Sequence, residues 1–131
     1  MLVDSNILIY AAQPEYAQLR RFIADHAPTV SAVSYVEVLG YHQLDDEERQ
    51  YLEEFFRLAQ VLPLSQAVLD QAVVLRQQRR MSLGDALVAG TALVHGLTLV
   101  TRNIEDFQWI QGLSLLNPFD EEPQPEPDQP C

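Results

Sequence analysis

Met1-Leu2-Val3-Asp4-Ser5-Asn6-Ile7-Leu8-Ile9 is a short apolar strand (1–4) that ends on an acid and turns at once into a brief helix (6–12), stopped before Pro14. The same handover recurs. Ser34-Tyr35-Val36-Glu37 follows a β-rich stretch at 29–33, and Thr101-Arg102-Asn103-Ile104-Glu105-Asp106 follows an apolar strand at 98–101. Asp85, in Ser82-Leu83-Gly84-Asp85, follows a helix and opens another. If the strands are parallel neighbours, Asp4, Glu37 and Asp106 meet at the carboxyl edge of the sheet, where open α/β sheets bind ligands. Asp85 joins them only if its helix aims its start at that edge. Clustered carboxylates repel and resist burial, so a fold gathers them mainly to hold a divalent cation.

The rest of the chain alternates in the same way. Helical spacing marks 15–26, 35–43, 45–60, 65–80 and 83–95, and short strands read at 61–64 and 113–116. Ser65 suits an N-cap, and the acidic turn Asp45-Asp46-Glu47-Glu48 suits the positive end of a helix dipole. The segment 83–95 is apolar all round, which marks a buried helix, and Gly96 ends it. Such alternation predicts an α/β domain with a parallel sheet over 1–119. Residues 120–131 carry prolines at 123, 125, 127 and 130 and cannot build a core. They read as an acidic, disordered or extended tail.

Charge narrows the function. The chain has 131 residues, 19 acids and eight bases, all Arg, for a net charge of −11. Five acids and no base fall in 120–131, which leaves −6 on the body. The acidity argues against a tight, non-specific grip on nucleic acid by a basic surface, but does not exclude a nucleic-acid substrate. No apolar run is long enough to cross a bilayer and no signal-peptide pattern opens the chain. The one cysteine, Cys131, has no internal partner. The expected location is the cytoplasm.

Each acid also has a structural explanation. Ser34-x-x-Glu37 and Ser82-x-x-Asp85 fit capping boxes, Asn103-x-x-Asp106 is a near relative, and Asp4 fits a plain N-cap. Capping does not explain why such acids follow strand ends repeatedly in so short a chain. Asn6, Ser34, Thr101 and Asn103 can orient the carboxylates, whereas Ser5 reads better as a turn residue. Arg76, Arg79, Arg80 and Arg102 are candidates to grip phosphate; for the first three a helix C-terminus is an equal explanation. His26, His42 and His95 show no paired ligand spacing and read as helix-end or surface residues. Phe107 and Trp109 read as core, and Glu53 with Arg57 as a solvated pair.

The chain resembles the PIN-domain ribonucleases, in particular the VapC-like toxins of bacterial toxin–antitoxin pairs. The matching pieces are Val3-Asp4-Ser5-Asn6-Ile7-Leu8-Ile9, Ser34-Tyr35-Val36-Glu37-Val38-Leu39-Gly40, Ser82-Leu83-Gly84-Asp85-Ala86-Leu87-Val88-Ala89 and Leu99-Val100-Thr101-Arg102-Asn103-Ile104-Glu105-Asp106-Phe107, with 113–118 as the last strand. The resemblance implies a three-layer α/β/α fold around a central five-stranded parallel sheet. It implies Asp4, Glu37, Asp85 and Asp106 as catalytic residues around one or two Mg2+ or Mn2+ ions, with Asn6, Thr101 and Asn103 as supporting polar groups. It also implies an RNA substrate, a homodimer and a small antitoxin that covers the site. The Pro-rich acidic tail and the lack of Lys depart from the family pattern.

The expected activity is therefore divalent-metal-dependent hydrolysis of RNA phosphodiester bonds, with Asp4 and Asp85 as first-choice ligands. Two readings compete. One is a PIN-like binding module without catalysis. The other is a receiver-like phospho-acceptor domain, which depends on a Lys that this chain lacks.

Overall fold

The computed structural model describes residues 1–119; the expectation for 120–131 lies outside them. Five short strands alternate with helices. They are β1 (Leu2–Val3), β2 (Val30–Ser31), β3 (Val61–Leu62), β4 (Leu99–Val100) and β5 (Leu115–Leu116). The helices are α1 (Ser5–Ala11), α2 (Ala17–His26), α3 (Ala32–Leu39), α4 (Asp46–Leu58), α5 (Gln66–Gln78), α6 (Leu83–His95) and α7 (Ile104–Phe107). A 3-10 turn at Pro14–Tyr16 precedes α2 where one continuous helix was expected. Among the described residues, no helix is long and apolar enough to cross a membrane.

All paired strands are parallel. β4 lies between β1 and β5, and β2 pairs with β3. The two ladders meet at a single bridge, Leu2 with Thr29, through Val3 N–H to Thr29 C=O (3.0 Å) and Thr29 N–H to Met1 C=O (2.9 Å). This differs from the expected single five-stranded sheet, and the reason is local. Pro28 interrupts the chain before β2, and Ser31 already caps α3, accepting from the Val33 N–H at 3.3 Å. Little strand remains to pair. The connectivity still reverses at β1, with the β2–β3 pair on one side and β4 on the other. The carboxyl end of β1, where Asp4 sits, is thus the switch point of the fold.

Alternate strand residues face opposite sides, and each side is covered. Val3 and Val100 pack with Ile7 and Leu8 of α1, Ile23 of α2, and Leu52 and Phe56 of α4. Leu2 and Leu99 pack with Leu75 of α5, Val88 and Ala92 of α6, and Phe107 of α7. Helix α6 is buried from Ala86 to Ala92, as its apolar sequence predicts. It starts at the Ser82 cap and ends at Gly96, whose φ of 64° is open to glycine at little cost. Asp45 and Glu48 close a full capping box at the start of α4. On that helix Arg57 pairs with Glu54, not with Glu53.

Candidate active site

Four acids approach one another at the carboxyl edge of β1 and β4. Asp4 is held first. Its N–H donates to the Val100 carbonyl at 2.9 Å, which fixes its backbone to β4. Its Oδ1 caps α1 by accepting the Ser5 N–H at 2.8 Å, and its Oδ2 accepts the Thr101 hydroxyl at 2.9 Å. Thr101 is buried, and its Oγ1 accepts the Asn103 N–H at 3.0 Å, so the turn into α7 is tied to Asp4. Asp4 is therefore a helix cap that also lies among the other acids.

Glu37 is reached through Ser5. The Ser5 Oγ lies 2.6 Å from Glu37 Oε1 and 2.8 Å from Ser34 Oγ. A hydroxyl has one proton, and only the carboxylate cannot donate. Ser5 therefore donates to Glu37 and accepts from Ser34. This corrects the reading of Ser5 as a turn residue. Nor do Ser34 and Glu37 form a capping box: α3 begins at Ala32, Ser34 lies inside it, and Glu37 is well past its first turn.

Asp85 sits in the first turn of α6, with its N–H donating to Ser82 Oγ at 3.1 Å. The residue before it is the least expected part of the site. A Cβ placed on Gly84 would stand 2.1 Å from Glu37 Oε2. Glycine at this position lets α6 and the Glu37 carboxylate approach. A glycine in the first turn of an otherwise apolar helix, next to an acid, was the available signal. Asp106, exposed on α7, shares with Asp85 a cleft of about 320 Å³, lined also by Arg79, Arg80, Ser82, Glu105 and Trp109.

Electrostatics joins the two halves. The Asp4 carboxyl is pushed up from 3.8 to about 6, mainly by burial, with the charges of Asp85 and Glu37 adding to it. The bonds from Thr101 and Ser5 oppose the rise. Asp85 is also raised, mainly by burial, with Asp106 and Glu37 adding and Ser82 opposing. Glu37 thus acts on both Asp4 and Asp85, Asp85 on Asp4, and Asp106 on Asp85. Among the described residues they do not form a closed shell of three or more ligands. Glu37 and Asp106 are exposed. The donor set is all oxygen and carries several negative charges, which suits a hard divalent cation.

The other predicted residues divide. Asn6 is exposed in the first turn of α1. Asn103 precedes α7 without a side-chain cap bond. Arg79 and Arg80 reach the cleft, whereas Arg76 donates to the Met81 carbonyl at 3.3 Å and braces the α5–α6 connection. Arg102 lies over the rings of Phe119 (4.3 Å) and Tyr10 (5.2 Å). His26 and His95 end α2 and α6, and His42 is exposed, as expected. Phe107 is core, but Trp109 is only half-buried and lines the cleft.

Known proteins resemble this chain in sequence and fold. The chain is 27% identical over 127 residues to Ribonuclease VapC1 of Rickettsia felis, covering 88% of this chain and 94% of that one. A toxin–antitoxin complex from Klebsiella pneumoniae matches with a TM-score of 0.69 and 27% identity over 89% of this chain and 96% of the other. DNA-bound VapBC from Salmonella typhimurium matches the fold with a TM-score of 0.74 at 21% identity, over 88% and 95% of the two chains. A family model described as PIN domain matches residues 1–111. With most of its length matched, the chain belongs to the PIN domain family.

Proposed function

We propose that residues 1–119 form a divalent-metal-dependent endoribonuclease domain, the toxin of a toxin–antitoxin pair. The observation that carries this is the buried Asp4, coupled to Asp85 and Glu37 and raised to about 6, at the switch point of a parallel sheet. A fold that keeps such a carboxylate among others forgoes stability unless a cation neutralises it. The relative named a ribonuclease supports the substrate class. The solved complexes support an antitoxin partner.

Asp4 and Asp85 would hold Mg2+ or Mn2+, with Glu37 and Asp106 completing the set. Such an ion supplies Lewis-acid stabilisation of phosphate charge and makes water a better nucleophile at neutral pH. The chain itself contributes orientation. Thr101 and the Ser5 N–H fix the Asp4 carboxylate, and the Ser34–Ser5 pair aims one Glu37 oxygen. Asn6, Thr101 and Asn103 are the supporting polar groups. No side chain is placed as a covalent nucleophile in this scheme, and hydrolysis by water needs none.

Val36 and Leu83 are 69% and 59% exposed and flank the Glu37–Gly84 contact. They give an antitoxin apolar surface beside the acids. The protein acts in the cytoplasm as a homodimer, for which the exposed Leu58, Val73 and Val74 offer further apolar surface. The test is labelled RNA incubated with Mn2+ or Mg2+, with and without a chelator. Cutting should need the metal and vanish in Asp4→Asn and Asp85→Asn. An intact fold with no cutting under any metal would leave a PIN-like binding module.

A further inference from the structure

We propose that the cleft between the end of α5 and α7 is a subsite for an RNA phosphate beside the scissile one, gripped by Arg79 and Arg80 and framed by Trp109. The proposal rests on the nuclease reading for the identity of the strand, but its geometry is independent of the metal.

The cleft has one acidic wall, Asp85, Glu105 and Asp106, and one basic wall, Arg79 and Arg80. Opposite charges so placed usually close into ion pairs. Among the described residues the one ion pair is Arg57–Glu54, and neither Arg79 nor Arg80 closes onto the acidic wall. The helix dipole needs only Arg76 within the helix itself. Helix α5 ends at Gln78, and Arg79 has left it with φ −160° and ψ 148°; only Arg76 lies in the last turn. In a body of net charge −6, two adjacent bases stand at the rim of the acid site, and among the described residues neither makes a side-chain hydrogen bond.

Trp109 joins the walls. Its indole N–H donates to the Asp106 carbonyl at 2.9 Å, and the Arg79 guanidinium lies 5.5 Å over its ring. One side chain thus sets the distance between the acid-bearing turn and the cation. A guanidinium stacked on an aromatic face loses less freedom when it accepts a phosphate into its donor fork. A strand whose scissile phosphate sits at Asp85 and Asp106 carries its neighbouring phosphate past this wall. Arg102 does not share the role, since it lies over Tyr10 and Phe119 and does not line this cleft. Arg79 and Arg80 are substrate-gripping residues, and Trp109 is a positioning residue.

Trp109 is the only tryptophan in the chain, so its emission reports this cleft alone. The full chain carrying Asp4→Asn is titrated with a short oligouridylate in Mg2+; Asp85→Asn serves if the first variant fails to fold. Emission should change and saturate. Arg79→Ala with Arg80→Ala should weaken binding at least about tenfold, the scale of a charge-assisted hydrogen bond. The salt dependence should drop by about 0.7 in log–log slope for each phosphate that the arginines no longer neutralise. In the otherwise wild-type enzyme, Arg79→Ala should raise KM and spare kcat. Trp109→Leu should raise KM similarly, and Trp109→Phe should restore most of it. Binding that leaves Trp109 emission unchanged, or that ignores the Arg substitutions, overturns the subsite even if the wild type cuts RNA. Saturable, Arg-dependent quenching in a protein that never cuts RNA upholds the subsite and removes the nuclease instead.

Discussion

Asp4→Asn should make the metal-free protein more stable and inactive at once. Asp4 is 4% exposed, and its carboxyl is raised from 3.8 to about 6 by burial and by Asp85 and Glu37. The folded protein therefore keeps this proton to higher pH than the unfolded chain does. For this group stability is greatest below about pH 4, falls as pH rises to about 6, and is level above that. At about 1.4 kcal/mol for each pH unit between the two values, ionisation costs the fold about 3 kcal/mol at neutral pH. Asn removes the charge and keeps an oxygen for the Ser5 N–H. Its amide group must then face Thr101, whose hydroxyl has to accept instead of donate, at a cost of about 1 kcal/mol. The net gain is about 2 kcal/mol, or about 8 °C in Tm for a domain of this size. Thermal unfolding by circular dichroism in chelator from pH 4 to 8 measures it. The wild type should lose stability relative to the variant between pH 4 and 6. Added Mg2+ should then raise the wild-type Tm at pH 7.5 and leave the variant nearly unmoved, by mass action on the folded form. A variant no more stable than the wild type at pH 7.5 in chelator would refute the reasoning, because Asp4 would then be an ordinary cap.

Gly84→Ala pushes a methyl group to within 2.1 Å of the Glu37 carboxylate. Glu37 must swing away, so RNA cleavage should fall about tenfold or more, while the gain in helix propensity of about 1 kcal/mol keeps thermal stability level or higher. Ser5→Ala removes the donor to Glu37 and orphans the buried Ser34 hydroxyl. Chemical denaturation should show a loss of about 1 kcal/mol, and cleavage should drop about 10- to 100-fold. Ala27, at the C-cap of α2, has φ 43° and ψ 58°. Ala27→Gly should raise stability by up to about 1 kcal/mol in urea unfolding, with no effect on cleavage.

Much of the fold could be read from single residues. Pro14, Pro28 and Gly96 punctuate the chain, and the apolar run of α6 could only be a buried helix. What failed was the boundary between β2 and α3. Two residues separate Ser31 from Ser34, and either serine can cap a helix. Only the packing of the buried Ser34 against Ser5 shows that the helix begins at the earlier one. The same shift explains the split sheet, since each residue given to α3 is taken from β2. Gly84 and Ser5 were legible only as a glycine and a serine. Their roles depend on Glu37, which lies 47 and 32 residues away and is placed by tertiary contact.

Glu37 is also the residue that separates a working site from a set of helix caps. Asp4 caps α1, and Asp85 and Asp106 lie in first turns, where the helix dipole welcomes a carboxylate whatever else it does. Three of the four acids are thus doubly explained. Glu37 has no such excuse: it lies near the carboxyl end of α3, where the dipole opposes a negative charge. There it is held by a buried hydroxyl, faced by a glycine that leaves room for it, and close enough to raise both Asp4 and Asp85. Local folding gives no reason for a carboxylate in such a place, and the proposed shared cation would supply one.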